Sequence, residues 1–313
     1  MTAVADGLLS HLGHALGITA PILIVLLLGA VFRQRNWVDA GFVESGNRLL
    51  FNVCMPSLLF LATAAQPVSS EADLPLAAFG VAATFVVVLV LWLIAPAIAG
   101  REMRGVFVQS AFRSNMGMIG IALCLNAYGE GVLARASVFV AAMIVSYNVL
   151  SILVLTSHRS QVLKNLLRNP LLIGILAGIA WQRFGPPLPA IAETSIAYLA
   201  RMALPLALIC IGASLEWRKL RPDHPLVFWA SAFKMVILPA AITVAAVYYG
   251  FRGEDLGILF LMVSAPTAMV AFVMAKEFAD GGEMTAEVIA LTTIVMPVTV
   301  TAGLTILATL NLL

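Results

Sequence analysis

Long apolar runs separated by short polar stretches dominate the sequence. A membrane-spanning helix needs about 20 mostly apolar residues, and ten segments meet or approach that length. The sixth is the shortest and ends in Gly185-Pro186-Pro187. We therefore predict an all-α integral membrane protein with ten transmembrane helices. The predicted segments are about 14–32, 43–65, 75–99, 105–127, 131–157, 170–185, 190–215, 225–250, 255–279 and 284–312.

Two of these segments contain a helix-breaking stretch near their middle. Asn115-Met116-Gly117-Met118-Ile119-Gly120 interrupts the fourth, and Ser264-Ala265-Pro266-Thr267 interrupts the ninth. In hydrocarbon an unpaired backbone group costs several kcal/mol, so unwound backbone persists only where protein, water or a ligand satisfies it. Matched breaks in two halves are typical of secondary transporters, whose substrate site lies between discontinuous helices. We predict that helices 4 and 9 cross there, the alternative being a proline kink and a small-residue packing face.

The two halves of the chain also match at a nearly constant offset. Pro56 and Pro205 are 149 residues apart, and Glu130 and Asp280 are 150 apart. Five spans per half is an odd number, so the second half starts on the opposite side of the bilayer, which makes an inverted repeat. The predicted division is a first five-helix repeat at 1–157, a short basic cytoplasmic linker at 158–169, and a second, inverted repeat at 170–313.

Composition and charge exclude several classes of protein. The chain is 61% hydrophobic and 11% charged, whereas soluble domains carry roughly 25% charged residues. The net charge of +2 is spread over short loops, so we expect the lipid bilayer and not nucleic acid as a partner. The four histidines lie at or outside the span ends, which leaves no intramembrane catalytic constellation. We predict that the protein is not an enzyme and has no cofactor or metal site.

Lysine and arginine residues between the segments predict the orientation, because cytoplasmic loops carry an excess of them. One side has only Arg135, Arg183 and Arg252. We assign the richer side to the cytoplasm, which places both termini outside. The residues on that side are Arg33, Arg35, Arg101, Arg104, Arg159, Lys164, Arg168, Arg218, Lys219, Arg221 and Lys276.

Ionisable residues inside the spans predict the charge of the substrate, because such residues are costly there and usually functional. Arg113, Lys234 and Arg201 lie within spans, and we find no carboxylate at a comparable depth. We therefore expect an anion. Arg113 and Arg201 could instead extend to the membrane surface, and Lys234 could pair with a carbonyl freed by Pro239. No acid lies near the breaks, so the sequence excludes a proton relay through a buried acid. Sodium coupling through carbonyl and side-chain oxygens stays possible.

Three stretches of sequence resemble the auxin efflux carrier family, which includes the plant PIN carriers and bacterial malonate-type transporters. The first is the Asn115 to Gly120 run with Tyr128-Gly129-Glu130, the second is Leu204 to Leu215, and the third is Ala265-Pro266-Thr267-Ala268. The resemblance covers the whole chain. It implies two inverted five-helix repeats, a scaffold and a transport domain, elevator-like motion, a homodimer, and a crossover site for an organic anion that includes Asn115 and Pro266.

The chain departs from this family at one position. Members commonly have proline a few residues after the first glycine pair, where this sequence has Ala122. The first break is therefore expected to unwind less than the second. Plant members have a long cytoplasmic loop between the halves, whereas the basic stretch here is short. A bacterial-type member in the inner membrane is the better match.

These observations predict a secondary transporter that moves a small organic anion, such as a mono- or dicarboxylate or an auxin-like acid, by alternating access. The alternatives are a sodium-coupled symporter or a channel-like anion facilitator of the same fold, and coupling to H⁺ or Na⁺ is open. The predicted crossover or hinge residues are Gly120, Pro56, Pro205 and Pro239. The predicted substrate-binding residues are Asn115, Gly117, Pro266, Thr267, Arg113, Lys234, Asn52, Arg201, Tyr147 and Asn148.

Overall fold

A computed structural model describes residues 2–65, 73–155, 168–214, 225–279 and 281–313. Within these ranges the chain is helical except for short connections and one isolated β-bridge. Residues 158–167 of the predicted linker, the basic loop that contains Arg218, Lys219 and Arg221, and Asp280 lie outside them. The helices are α1 (Thr2–Gln34), α2 (Ala40–Ala65), α3 (Asp73–Ile94), α4a (Arg104–Phe112), α4b (Met116–Tyr128), α5 (Leu133–Leu155), α6 (Pro170–Phe184), α7 (Ala190–Ser214), α8 (Pro225–Tyr249), α9a (Gly253–Val263), α9b (Met269–Phe278) and α10 (Gly282–Thr309).

Seven continuous helices in the described ranges are long and apolar enough to cross a membrane: α1, α2, α3, α5, α7, α8 and α10. Helix α6 has 15 residues, and the other two predicted spans are each divided into two shorter helices. Many large apolar side chains are exposed, including Leu93 and Val298. Exposure of this kind is favourable in lipid, which confirms the all-α membrane fold that the hydropathy pattern predicts.

Small residues allow the backbones of two helix pairs to approach closely. Helix α1 packs on α7, where a Cβ atom on Gly212 would lie 1.9 Å from the carbonyl oxygen of Leu26. Helix α6 packs on α2, where a Cβ atom on Gly174 would lie 2.7 Å from the carbonyl oxygen of Pro56. Membrane helices associate largely through such close packing, because lipid removes the hydrophobic driving force between them.

Proline does not interrupt α2, α7 or α8. Pro205 lies inside α7, which is a single helix. In α2 and α8 a π-helical turn, Leu50–Cys54 and Phe233–Ile237, precedes Pro56 and Pro239 respectively. A proline cannot donate to the carbonyl four residues earlier and its ring crowds that turn, so a wider turn before it preserves the helix. The three residues thus lie in continuous helices, and their predicted role as hinges stays a prediction.

The two predicted breaks are present, but the first begins earlier than predicted. Its non-helical residues are 113–115, and Met116–Gly120 forms a π-helical turn at the start of α4b. The carbonyl of Asn115 accepts hydrogen bonds from the N–H groups of both Ile119 and Gly120, each at 3.1 Å, which rewinds the chain at once. Gly120 serves close packing, since a Cβ atom there would lie 2.7 Å from the sulfur of Met262. The second break, at 264–268, includes Pro266 as predicted.

Candidate functional site

The two broken segments cross and hydrogen-bond to each other through their backbones. The Asn115 N–H donates to the Pro266 carbonyl at 2.7 Å, and the Ala268 N–H donates to the Arg113 carbonyl at 2.9 Å. These bonds flank an antiparallel bridge between Ser114 and Thr267. Each unwound stretch therefore supplies hydrogen-bond partners for backbone N–H and C=O groups of the other. Such pairing is how irregular backbone is tolerated at membrane depth.

Side chains satisfy carbonyl groups where α4a and α9a end. The Thr267 hydroxyl donates to the Ser110 carbonyl at 2.8 Å. The Lys234 ammonium donates to the Val263 carbonyl at 2.7 Å, and the Ser114 hydroxyl contacts the same carbonyl at 3.2 Å. Lys234 therefore pairs with a carbonyl at the second break and not with one freed by Pro239. The reason is tertiary, because α8 packs beside the end of α9a.

A cavity of about 140 Å³ lies beside the crossing. This volume is roughly that of five water molecules, so the cavity can hold a small organic molecule. Helices α4b and α9b both begin at it, and their first N–H groups have no acceptor within their own helices. The lining residues are Phe51, Arg113, Ser114, Asn115, Met116, Gly117, Met118, Val140, Met143, Ile144, Tyr147, Asn148, Asn169, Pro170, Leu171, Ala268, Met269 and Val270.

Two helix N-termini give this cavity a partly positive wall. A helix N-terminus carries the equivalent of about half a positive charge, and its N–H groups bind anions readily. The N-termini of α4b and α9b meet here because both helices restart directly after the crossing. Arg113 adds a full positive charge at the same place.

The Arg113 side chain points into the protein. It is 6% exposed, so the alternative in which it extends to the membrane surface is wrong. Its guanidinium donates to the hydroxyl of Ser151 at 2.7 Å, to the carbonyl of Tyr147 at 3.1 Å and to the side-chain oxygen of Asn148 at 3.1 Å. It also contacts the sulfur of Met274 at 3.5 Å. These partners are all neutral, so they fix the guanidinium without cancelling its charge.

The Asn115 side chain is the polar group with the most freedom at the cavity. It is 7% exposed and forms no hydrogen bond with any other residue in the described ranges. Its backbone is held by the crossing, so the amide is positioned while its donors and acceptor stay available. Asn148 uses its oxygen for Arg113, and Tyr147 lies with its ring 6.0 Å from the guanidinium carbon.

Several of the predicted site residues lie elsewhere. Asn52 is exposed and donates to the Arg48 carbonyl at 2.7 Å, and Arg201 is exposed on α7. Neither lines the cavity beside the crossing, and neither do Thr267, Pro266 and Lys234. Thr267 and Pro266 contribute to the crossing itself, so the structure brings together Arg113, Asn115, Gly117, Tyr147 and Asn148 of the predicted substrate-binding set.

Sequence reasoning missed the residues that orient Arg113 and close the cavity. Ser151 lies four residues after Tyr147 and therefore on the same face of α5, a spacing that could have revealed it. Met274, Phe51 and Leu171 carry no such signal, because they reach the site from α9b, α2 and α6. Groups of three or more His, Cys, Asp or Glu residues that could hold a metal ion do not occur in the part of the chain that the structure describes.

Comparison with known proteins shows which molecules the chain resembles. Residues 155–302 match a family model described as membrane transport protein. An uncharacterized transporter of Methanothermobacter thermautotrophicus is 26% identical over 264 residues, which cover 82% of this chain and 86% of that protein. A probable auxin efflux carrier component 1b of Oryza sativa subsp. japonica is 32% identical over 124 residues, covering 38% of this chain and 22% of that protein. The chain is therefore similar to membrane transporters, auxin efflux carriers among them.

A second transporter is similar over most of its length. An uncharacterized transporter of Methanocaldococcus jannaschii, 26% identical over 271 residues, is similar over 81% of this chain and 86% of its own length. This similarity agrees with the cavity beside two broken helices, since matched breaks of this kind are typical of secondary transporters.

Proposed function

We propose that this protein is a transporter of the auxin efflux carrier family and that it moves a small organic anion, such as a mono- or dicarboxylate, through the cavity between α4b and α9b. The observation that carries the proposal is the uncompensated positive charge of that cavity. Arg113 is buried among neutral acceptors, and two helix N-termini face the same space. A carboxylate would complete this arrangement, because it accepts charge-assisted hydrogen bonds from a guanidinium and from backbone N–H groups.

The Asn115 amide supplies the orienting contact in this proposal. It lies between the guanidinium side of the cavity and the N-terminus of α4b, and it can donate to a carboxylate oxygen. Tyr147 and Asn148 line the cavity and accept hydrogen bonds from the Arg113 guanidinium. The cavity volume of about 140 Å³ favours a compact substrate over an extended one.

Transport by alternating access is part of the same proposal. Two closely packed helix pairs support ten spans in two inverted repeats. In such a repeat α1 corresponds to α6 and α2 corresponds to α7, so the pair α1–α7 corresponds to the pair α6–α2. Helices α1, α2, α6 and α7 would form the scaffold, and the other helices would carry the crossing past it. Phe51 of α2 and Leu171 of α6 line one side of the cavity, where such a boundary would lie.

The remaining features of the proposal concern the membrane. The transporter would lie in a bacterial inner membrane as a homodimer, with both termini outside. A cysteine accessibility assay with a membrane-impermeant reagent would test the topology, because a cysteine placed at exposed Trp37 would be protected in intact cells and one placed at exposed Tyr248 would be labelled.

The decisive experiment measures anion binding and exchange with the purified full chain. Thermal unfolding would be screened with acetate, malonate, succinate and indole-3-acetate, and the anion that stabilises most would be used for counterflow in proteoliposomes. We expect saturable counterflow, which an open channel does not give. Asn115→Asp should abolish stabilisation, since its carboxylate would repel the anion, whereas Asn115→Ala should weaken it about tenfold.

A matched control uses Asn52→Asp, because Asn52 is an exposed asparagine outside the cavity. It should bind and exchange the anion like the wild-type chain. The proposal would be refuted if Asn115→Asp kept wild-type anion affinity while folded, or if the purified chain exchanged cations but none of the four anions.

A further inference from the structure

Lys234 occupies an unusual position for a lysine in a membrane protein. It lies in the π-helical turn of α8, is 2% exposed, and donates to the carbonyl of Val263 at 2.7 Å. Val263 is the last residue of α9a, so its carbonyl accepts no hydrogen bond from an N–H group of that helix. Among the described residues Lys234 makes no ion pair with a carboxylate, and Val263 is its hydrogen-bond partner.

The end of α9a is a place where a cation is stabilised. A helix C-terminus carries the equivalent of about half a negative charge. In transporters with discontinuous helices, such ends and the unwound carbonyls next to them are where coupling cations bind. The Ser114 hydroxyl also contacts Val263, and the Ser264 hydroxyl is buried without a partner in the described ranges. The ammonium therefore lies at a carbonyl oxygen suited to a small cation, with a serine hydroxyl on the same carbonyl.

The other half-helix end in the crossing has no such charge. The end of α4a is satisfied by the neutral hydroxyl of Thr267, which donates to Ser110. Thr84, 150 residues before Lys234 in the chain, lines the same small cavity as Lys234, but its hydroxyl donates to the Gly80 carbonyl at 2.8 Å. The C-terminal end of α9a is therefore satisfied by a charged group, whereas that of α4a is satisfied by a neutral hydroxyl.

Little room is left for a free ion next to the lysine. The cavity that Lys234 shares with Thr84, Ser114 and Tyr147 measures about 10 Å³. That volume is at the lower limit for one water molecule. A sodium ion bound to the Val263 carbonyl would also lie against the like charge of the ammonium, so the two cations compete for one position.

We propose that Lys234 is a tethered cation, which takes the place of a coupling ion at the C-terminal end of α9a and makes anion binding at the crossing independent of sodium. The statement that anion binding is independent of sodium rests on the proposed anion-transport function. The position of Lys234 as a tethered cation does not depend on it. The lysine's own role is testable by protein stability, without any substrate.

The test compares thermal unfolding of the purified full-length protein in NaCl and in choline chloride at equal ionic strength. We expect the wild-type midpoint to be the same in both salts. Lys234→Ala leaves the Val263 carbonyl without its cation and should lower the midpoint in choline chloride by about 5 °C. NaCl or methylammonium chloride should recover part of that loss by filling the vacated space. Lys234→Arg, which keeps the charge, should show no such salt dependence.

Lys276→Ala is the matched control, because Lys276 is exposed at the end of α9b. Its midpoint should be unaffected by the choice of salt. A wild-type midpoint that is higher in NaCl than in choline chloride would overturn the proposal, and this measurement needs no variant to fold. A wild-type midpoint for Lys234→Ala in choline chloride would overturn it as well. Since neither measurement contains an organic anion, failure of the anion-transport proposal would leave both unchanged.

Discussion

Replacing Arg113 by glutamine removes the positive charge of that side chain from the cavity while keeping a shorter polar side chain. The guanidinium is 6% exposed and is held by Ser151, Tyr147 and Asn148 at 2.7–3.1 Å. Because these partners are neutral, the charge available to a bound carboxylate is close to a full unit. In Arg113→Gln that charge is lost, and the carboxylate faces only neutral donors and the two helix N-termini.

The expected loss of affinity follows from the hydrogen bonds involved. A hydrogen bond to a charged group contributes about 1.5–3 kcal/mol, which corresponds to roughly 10- to 150-fold in the dissociation constant. Arg113→Lys keeps the charge but has a point-like head group that cannot match the planar fork of arginine. We therefore expect Arg113→Lys to bind with an affinity between those of the wild type and Arg113→Gln.

The assay is a titration of thermal stability or tryptophan fluorescence with the best anion from the screen, followed by counterflow. Arg201→Gln serves as the control, since Arg201 is an exposed arginine on α7 that does not line the cavity. An Arg113→Gln protein that folds and binds the anion within threefold of the wild type would refute the assignment of Arg113. Equal losses in both arginine variants would point to a general effect of surface charge.

Two further predictions test the packing that holds the crossing and the helix pairs. Gly212→Ala would place a Cβ atom 1.9 Å from the backbone oxygen of Leu26. Overpacking of this kind costs about 1–3 kcal/mol, so we expect a lower thermal midpoint. Gly17 has open space around it, so Gly17→Ala should unfold at the wild-type midpoint. Thr267→Val removes the donor to the Ser110 carbonyl and should destabilise the protein by about 1–3 kcal/mol in chemical unfolding. Thr267→Ser should retain most of the stability, and a fully stable valine variant would contradict the capping role.

The hydropathy pattern predicted the helical segments closely because each one is a local property of the chain. The predicted segment 170–185 is helix α6 at Pro170–Phe184, and 225–250 is α8 at Pro225–Tyr249. The second break was also predictable, because Pro266 cannot continue a helix. The first break was predicted less well. The residue that opens it, Arg113, is extended without any local signal for it.

The first break opens at Arg113 because of contacts with the other half of the protein. The Arg113 carbonyl accepts a hydrogen bond from the Ala268 N–H. The Asn115 N–H donates to the Pro266 carbonyl. These bonds replace the helical ones that residues 113–115 give up. A stretch with no proline can therefore unwind next to one that has it, since the partner segment supplies the missing acceptors and donors.

The sequence by itself determined that the chain is a helical membrane protein with two interrupted helices and buried cations, because these properties depend on composition, run length and local backbone chemistry. The tertiary structure decided which cation faces which group. Lys234 and Arg113 are both intramembrane cations in the sequence, yet one lies against the end of α9a and the other beside the cavity. That difference depends on how α5, α8 and α9a pack, and a long flexible side chain pairs with whichever acceptor the packing brings within about 3 Å.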